Sequence, residues 1–221
     1  MNINHLSLLG AIALTPMSFV SARAQSVWIN EFHYDNTGPD VGEFVEVIAP
    51  VDFTALATVR LTLYNGGDGT PYGSSHLLST FTPGAEESGF RIYSKSISAL
   101  QNGAPDGFSL DVGGDVRQFI SYEGHFSATA GPAVGLGSQD VNFVESELTP
   151  IGSSVGMVGT GWDPSQFVWN TSASATPGQV NVGQGFSVVP EPSTYALFTA
   201  GALVGYAGVR RRRDARPGAR A

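Results

Sequence analysis

Glu31, His33 and Asp35 stand two residues apart, and Glu43 and Glu46 follow in the next run of β-formers. On an extended strand side chains alternate, so the first three share one face with Val27 and Ile29. Glu31 and Glu46 on neighbouring strands would supply paired carboxylates, with His33 as a base or a metal ligand. Glu31, His33 and Asp35 are thus the candidate metal ligands. The same residues have a plainer reading: Glu31 takes hydrogen bonds from loop amides, His33 tops the sheet, and Asp35 with Asn36 caps a turn. The plainer reading is preferred, because a strand brings in no convergent third group and no His-x-x-x-His pair is present. No serine is read as a Gly-x-Ser-x-Gly nucleophile.

The remaining candidates for chemistry are scattered. His76 and His125 are far from His33 in the chain. Asp106, Asp111 and Asp115 lack the spacing of a calcium loop, and Gly66-Gly67-Asp68-Gly69 reads as turn chemistry. Loop carboxylates outside a cell can hold calcium loosely, so calcium is the one cofactor left open and none is required. The chain is therefore read as non-enzymatic. The alternative is a metal-dependent hydrolase, or an accessory module of an extracellular nuclease.

The elements that must position these residues follow from composition. The chain has 221 residues, 19 acidic against 11 basic, with 28 Gly, 13 Pro and no Cys. The absence of cysteine excludes disulfide staples, thiolate zinc sites and cysteine nucleophiles. Residues 25–189 hold four basic side chains, Arg60, Arg91, Lys95 and Arg117, against 17 acidic ones, a net charge of −13. Such a domain attracts cations and repels phosphate, which excludes nucleic acid as a charge-driven partner.

Short runs rich in β-branched and aromatic residues predict strands over 27–35, 43–48, 58–64, 75–81, 89–94, 108–112, 116–122, 154–158 and 166–169. Gly113-Gly114 is a hairpin signal, and Asn65-Gly66-Gly67-Asp68-Gly69 tolerates positive φ. Many short strands at this spacing predict an all-β sandwich. Among the tryptophans Trp28, Trp162 and Trp169, Trp162 is read as an exposed aromatic able to meet a sugar ring, although all three are equally fit for a core.

Both termini read as targeting segments. An apolar run over 6–14 (LSLLGAIAL), Pro16 and the small-x-small triplet Ala22-Arg23-Ala24 predict a signal peptide over 1–24, cut by signal peptidase to leave Gln25. At the other end, Pro190-Glu191-Pro192 precedes the uncharged run 195–209 and then Arg210, Arg211, Arg212 and Arg213. A helix over that run rises about 22 Å, short of a ~30 Å hydrocarbon core, and spans only with help from flanking residues. The arginines place its far end inside, which makes 214–221 a cytoplasmic tail.

This three-part order closely resembles the PEP-CTERM sorting signal of Gram-negative bacteria. The resemblance implies export, transient anchoring in the inner membrane, recognition by an exosortase at Pro190, Glu191 and Pro192, and delivery to the cell surface or extracellular matrix. A second resemblance lies in the middle of the chain. WINEFHYD (28–35) followed by GEFVEV (42–47) is similar to the opening of lamin-tail domains, and SYEG (121–124) and WNTSASATPGQVN (169–181) resemble their later segments. It implies an immunoglobulin-like β-sandwich over 25–189, with long glycine-rich insertions after Tyr64 and Gly124. The expected role is adhesion or matrix building, with extracellular polysaccharide as a partner. Sequencing the N-terminus of the exported protein is expected to return Gln25, and a chain that still begins at Met1 contradicts secretion.

Overall fold

The computed structural model describes residues 27–188. The expected signal peptide with Ala22, Ala24 and Gln25, the sorting segment from Pro190, Glu191 and Pro192 to Arg210, Arg211, Arg212 and Arg213 with its expected transmembrane helix, and the expected tail 214–221 lie outside the described residues. Strands, numbered in chain order, form two sheets. The first runs β11 (Val168–Ser172), β10 (Ser154–Gly161), β1 (Trp28–His33), β2 (Phe44–Pro50), β6 (Phe90–Ser96) and β5 (Thr82–Glu87), with β12 (Gln184–Phe186) also alongside β10. The second runs β4 (Thr70–Leu77), β3 (Val59–Asn65), β7 (Asp106–Val112), β8 (Asp115–Tyr122) and β9 (Gln139–Asp140). Pairing is antiparallel except β8 with β9 and β10 with β12. The expected all-β sandwich is what is observed.

Aromatic side chains fill the space between the sheets. Phe32 meets Phe108 edge-on at 5.3 Å and Trp169 at 5.5 Å, and Tyr34 stacks on Tyr122 at 3.9 Å. Val45, Val47, Leu61, Leu110 and Val155 complete this core. Each sheet also carries a smaller cluster that belongs to a separate layer. Trp28, Ile48, Phe90, Ile92, Met157, Phe167 and Phe186 pack together away from the main core, and Tyr64, Phe119, Phe126, Ala128 and Ala133 form a third group. Covering both outer faces explains why β1 and β2 are buried along their whole length, where a half-exposed strand would alternate.

A bulge in β1 overturns one expectation. Ile29 lies opposite Val47, but Glu31 lies opposite Glu46, so Asn30 is an extra residue. An inserted residue flips the alternation beyond it. Val27 and Ile29 therefore share the main core with Phe32 and Tyr34, and not a face with Glu31, His33 and Asp35. Trp28, packed in the outer cluster, takes their place beside the acidic residues' side of the sheet.

Local chemistry sets the other boundaries. Gly113 and Gly114, both at positive φ (62° and 96°), close the β7–β8 hairpin as the primed turn requires. Asn65 Oδ1 accepts from Gly67 N at 2.7 Å and Asp68 Oδ1 from Thr70 N at 2.9 Å, so the Gly-Gly-Asp-Gly stretch is a tight turn between β3 and β4. The strand expected at 75–81 sits earlier, because β4 starts at this turn and residues Leu78–Thr80 form a 3-10 turn. The strand expected at 166–169 sits later, because Asp163 caps a 3-10 turn over Pro164–Gln166. β5, β9 and β12 escape sequence reading: β5 carries Pro83 and Gly84, β9 has two residues, and β12 is a three-residue strand with a glycine at its centre.

Candidate functional site

Glu31 and Glu46 face each other across β1 and β2 and are 1% and 0% exposed. No basic side chain among the described residues bonds either. Their partners come from β10, from the bulge in β1 and from the segment after β11. Glu31 Oε1 accepts from Ser154 Oγ at 2.6 Å and Thr176 N at 3.0 Å, and Glu46 Oε2 accepts from Gly178 N at 2.7 Å. The bulge residue joins in: Asn30 Nδ2 donates to Glu46 Oε1 at 2.9 Å, and Asn30 exchanges hydrogen bonds with the Gln184 amide. The arm of residues 173–186 is thereby fastened across the outer face of the first sheet. Its fit leaves no slack, since a Cβ on Gly156 would lie 2.6 Å from Asn181 Nδ2 and one on Gly84 would collide with the Gly178 carbonyl.

A threonine hydroxyl links the site to the arm. Thr176 Oγ1 lies 2.9 Å from Glu31 Oε2 and 3.0 Å from Asn181 Oδ1. The Asn181 amide is oriented by its Nδ2, which donates to the Met157 carbonyl at 2.9 Å, so its Oδ1 accepts. The Thr176 hydroxyl is therefore shared between the Glu31 carboxyl and the Asn181 amide oxygen. Burial raises the Glu31 pKa against the bonds of Ser154 and Thr176, and burial with the Glu31 charge raises that of Glu46 well above its ordinary value.

His33 belongs to a different cluster. Its Nδ1 lies 2.8 Å from Glu145 Oε1 and its Nε2 3.1 Å from Asn36 Oδ1. The Asn36 amide is fixed by Nδ2 donating to the Thr37 and Pro39 carbonyls and by Oδ1 accepting from Val41 N. Both ring nitrogens thus face acceptors, an arrangement that favours the protonated ring beside Glu145. Burial opposes the charge, but the Glu145 bond and charge together with Asn36 carry the pKa above the ordinary value. The second Glu145 oxygen accepts from Tyr34 N at 2.7 Å, which ties the loop before β10 to the end of β1.

The other carboxylates disperse further. Asp35 is raised by burial and by the neighbouring Asp40. Glu43 Oε2 accepts from Ala99 N at 2.8 Å, whereas its Oε1 is buried without a hydrogen-bond partner. Burial lifts Asp106 to about 6, against the bonds from Gly66 and Gly103. Among the described residues no group of three or more His, Asp or Glu side chains is placed to hold a metal ion. Glu31 bonds Ser154 and Thr176, whereas His33 and the Asp35 backbone N–H both bond Glu145.

Two further expectations are revised. Gly152, Ser154 and Gly156 do fit the Gly-x-Ser-x-Gly spacing. Ser154 nevertheless lies inside strand β10, is 1% exposed and donates to Glu31, so it is not the sharp strand-to-helix turn that exposes a nucleophile. Trp162 is half-buried against the outer cluster and is not an open aromatic platform. Asn30, Thr176, Gly178 and Asn181 were not singled out as site residues; the signal that could have found them is the T-P-G-x-x-N spacing next to two unpartnered glutamates.

Comparison with known proteins adds one finding. The family description "PEP-CTERM protein-sorting motif" matches residues 188–213. The chain carries a PEP-CTERM sorting motif. The motif supports export, transient membrane anchoring and processing by an exosortase. No curated protein and no solved structure matches the chain. No helix among the described residues is long and apolar enough to cross a membrane.

The raised carboxyl groups set the sign of pH dependence. Glu31, Glu43, Glu46, Asp35 and Asp106 all have folded pKa values above their unfolded ones. Their contribution is complete below the ordinary carboxylate range and is lost as pH rises through the raised values. His33, also raised, acts in the same direction, and with four basic side chains the domain builds little positive charge in acid. Thermal stability is expected to rise between pH 7 and pH ~4.5, with Asp106 contributing below about 6, and Glu46→Gln is expected to flatten that rise. Melting curves across this range check it; a melting temperature that falls steadily on acidification contradicts the assignment.

Proposed function

We propose that this chain is a non-enzymatic, exosortase-sorted surface protein whose mature part is a lamin-tail-like, immunoglobulin-like β-sandwich serving adhesion or the extracellular matrix. The observation that carries the reading is the sorting motif at 188–213. It delivers a passenger to the exterior, and the passenger's own chemistry is consistent with a binding or spacer module. The acidic and histidine side chains that would supply catalysis are engaged in holding loops to the sheet.

The lamin-tail part of the proposal rests on three of the quoted motifs meeting in one network. The I-N-E strand contributes Asn30 and Glu31, the E-F-V-E strand contributes Glu46, and the A-T-P-G-Q-V-N segment contributes Thr176, Gly178 and Asn181. Segments that recur together in a family are expected to be those that depend on one another physically. The matrix role draws support from the net charge of the domain, which keeps it soluble and attractive to cations outside the cell. Extracellular polysaccharide is the proposed partner, approached through polar loops in place of an aromatic platform.

In Pro190-Glu191-Pro192 each proline restricts its own φ and disfavours the α region in the residue before it, the sequence property proposed here for recognition by the exosortase. Replacing Pro190, Glu191 and Pro192 by alanine is expected to leave a full-length precursor in the inner membrane of an exosortase-bearing host, while replacing the four arginines disturbs topology first. Fractionation followed by immunoblotting against the sandwich reads both. The alanine variant reaching the surface in the amount and size of wild type refutes sorting at this motif.

A further inference from the structure

We infer that β11 is a self-association edge, pairing antiparallel with β11 of a second copy of this chain. Among the described residues β11 ends the first sheet and is paired on one side only, to β10. Unpaired strand edges are templates for further pairing, and proteins blunt them with proline, charge, bulges or short length. The other edges of this sandwich are blunted in those ways. β5 has Pro83, Glu86, Glu87 and a register break, and the Gly178 carbonyl already takes its Ala85 N–H. β4 carries Pro71, Gly73 and a register break against β3, and β9 is two residues long. β11, Val-Trp-Asn-Thr-Ser, has no proline, no charge and no bulge, and Val168, Asn170 and Thr171 are exposed.

Charge explains why the partner is another copy. Two molecules of a domain at −13 repel each other over most of their surface. From Leu148 to Val188, however, the sequence contains a single charged residue, Asp163, and β10, β11 and β12 all fall in that stretch. Like copies can approach along this side with little repulsion. Apolar side chains gather beside it: Val144, Leu148, Ile151 and Val168 are exposed, Leu148 at 88%. Val144 and Leu148 line a cleft of about 370 Å³ that also takes in Thr171, Ser172 and Ala173 at the end of β11. The one carboxylate in that cleft, Glu145, is bonded to His33.

The register follows from overlap. Antiparallel pairing of five residues with themselves is complete only when centred on Asn170, which sets Val168 against Ser172 and Trp169 against Thr171 of the other copy. Trp169 points into the core, so Val168, Asn170 and Ser172 form the outward face of the extended sheet. This inference stands on the edge alone and does not depend on sorting.

The chain has no cysteine, so Asn170→Cys introduces a single thiol. Across an antiparallel pair the two Cα atoms are about 4.5–5.5 Å apart, within disulfide reach. The full chain in detergent micelles, under mild oxidation, is expected to give a disulfide-linked dimer for Asn170→Cys while Ser74→Cys, on the exposed part of β4, stays monomeric in the gel. Wild type is expected to sediment with twice the monomer mass and Asn170→Lys to lose that dimer, with unchanged circular dichroism and melting temperature showing that the fold persists. Equal cross-linking at both cysteines means association through another segment and overturns the inference. So does a monomeric wild type, as when a terminal segment or a foreign peptide holds the edge, or a dimer that survives Asn170→Lys.

Discussion

Two carboxyl side chains buried face to face, with no basic side chain bonded to either among the described residues, are the constraint on which this structure turns. Glu31 and Glu46 can be closed off from water only if their oxygens find donors and their joint charge is reduced. The arm after β11 supplies donors through Thr176 and Gly178, β10 adds the Ser154 hydroxyl, and burial raises both carboxyl pKa values, which favours the uncharged forms. The arrangement fixes more than two side chains. The same arm lays Phe186 against Trp28 and Phe90 and brings β12 beside β10. Removing either carboxylate would leave backbone N–H groups without partners, at roughly 1–3 kcal/mol each, and loosen a whole layer.

The bulge at Asn30 is part of the same device. Were β1 regular, with Asn30 opposite Glu46, the pleat would turn Glu31 to the side that Ile29 faces, into an apolar core. With the bulge, Phe32 and Tyr34 enter the core and Glu31 meets Glu46 on the face that the arm covers. The Asn30 side chain then bonds Glu46 and Gln184, which compensates for the interrupted ladder. Sequence, register and tertiary contact are therefore one solution, and the sorting motif lies on the chain just beyond the arm that completes it.

Much of this was legible in the sequence, and what was not has identifiable causes. Nine strands, the Gly113-Gly114 hairpin and the Asn65–Gly69 turn follow from propensity and turn chemistry, because those signals are local. Reading Glu31 as an acceptor of loop amides was possible because a lone carboxylate amid β-formers has few other satisfied states. The face shared with Val27 and Ile29 was misread, since a bulge leaves no mark when the extra residue is an ordinary asparagine. The His33–Glu145 pair joins residues 112 apart and has no spacing signal. Trp162 was left between an exposed and a core position because composition cannot show that an arm from the C-terminal side covers the sheet.

Amide hydrogen exchange at Thr176 and Gly178 tests the central claim most directly. Both residues lie in a stretch with no regular secondary structure of their own, yet their N–H groups are donated to Glu31 and Glu46 beneath the surface. If the carboxylate pair fastens the arm, these two amides exchange as slowly as those of β2, and Glu46→Ala speeds Gly178 toward the rate of an open loop while β7 keeps its protection. Fast exchange at both amides in the wild-type protein, alongside a protected β2, would contradict the account.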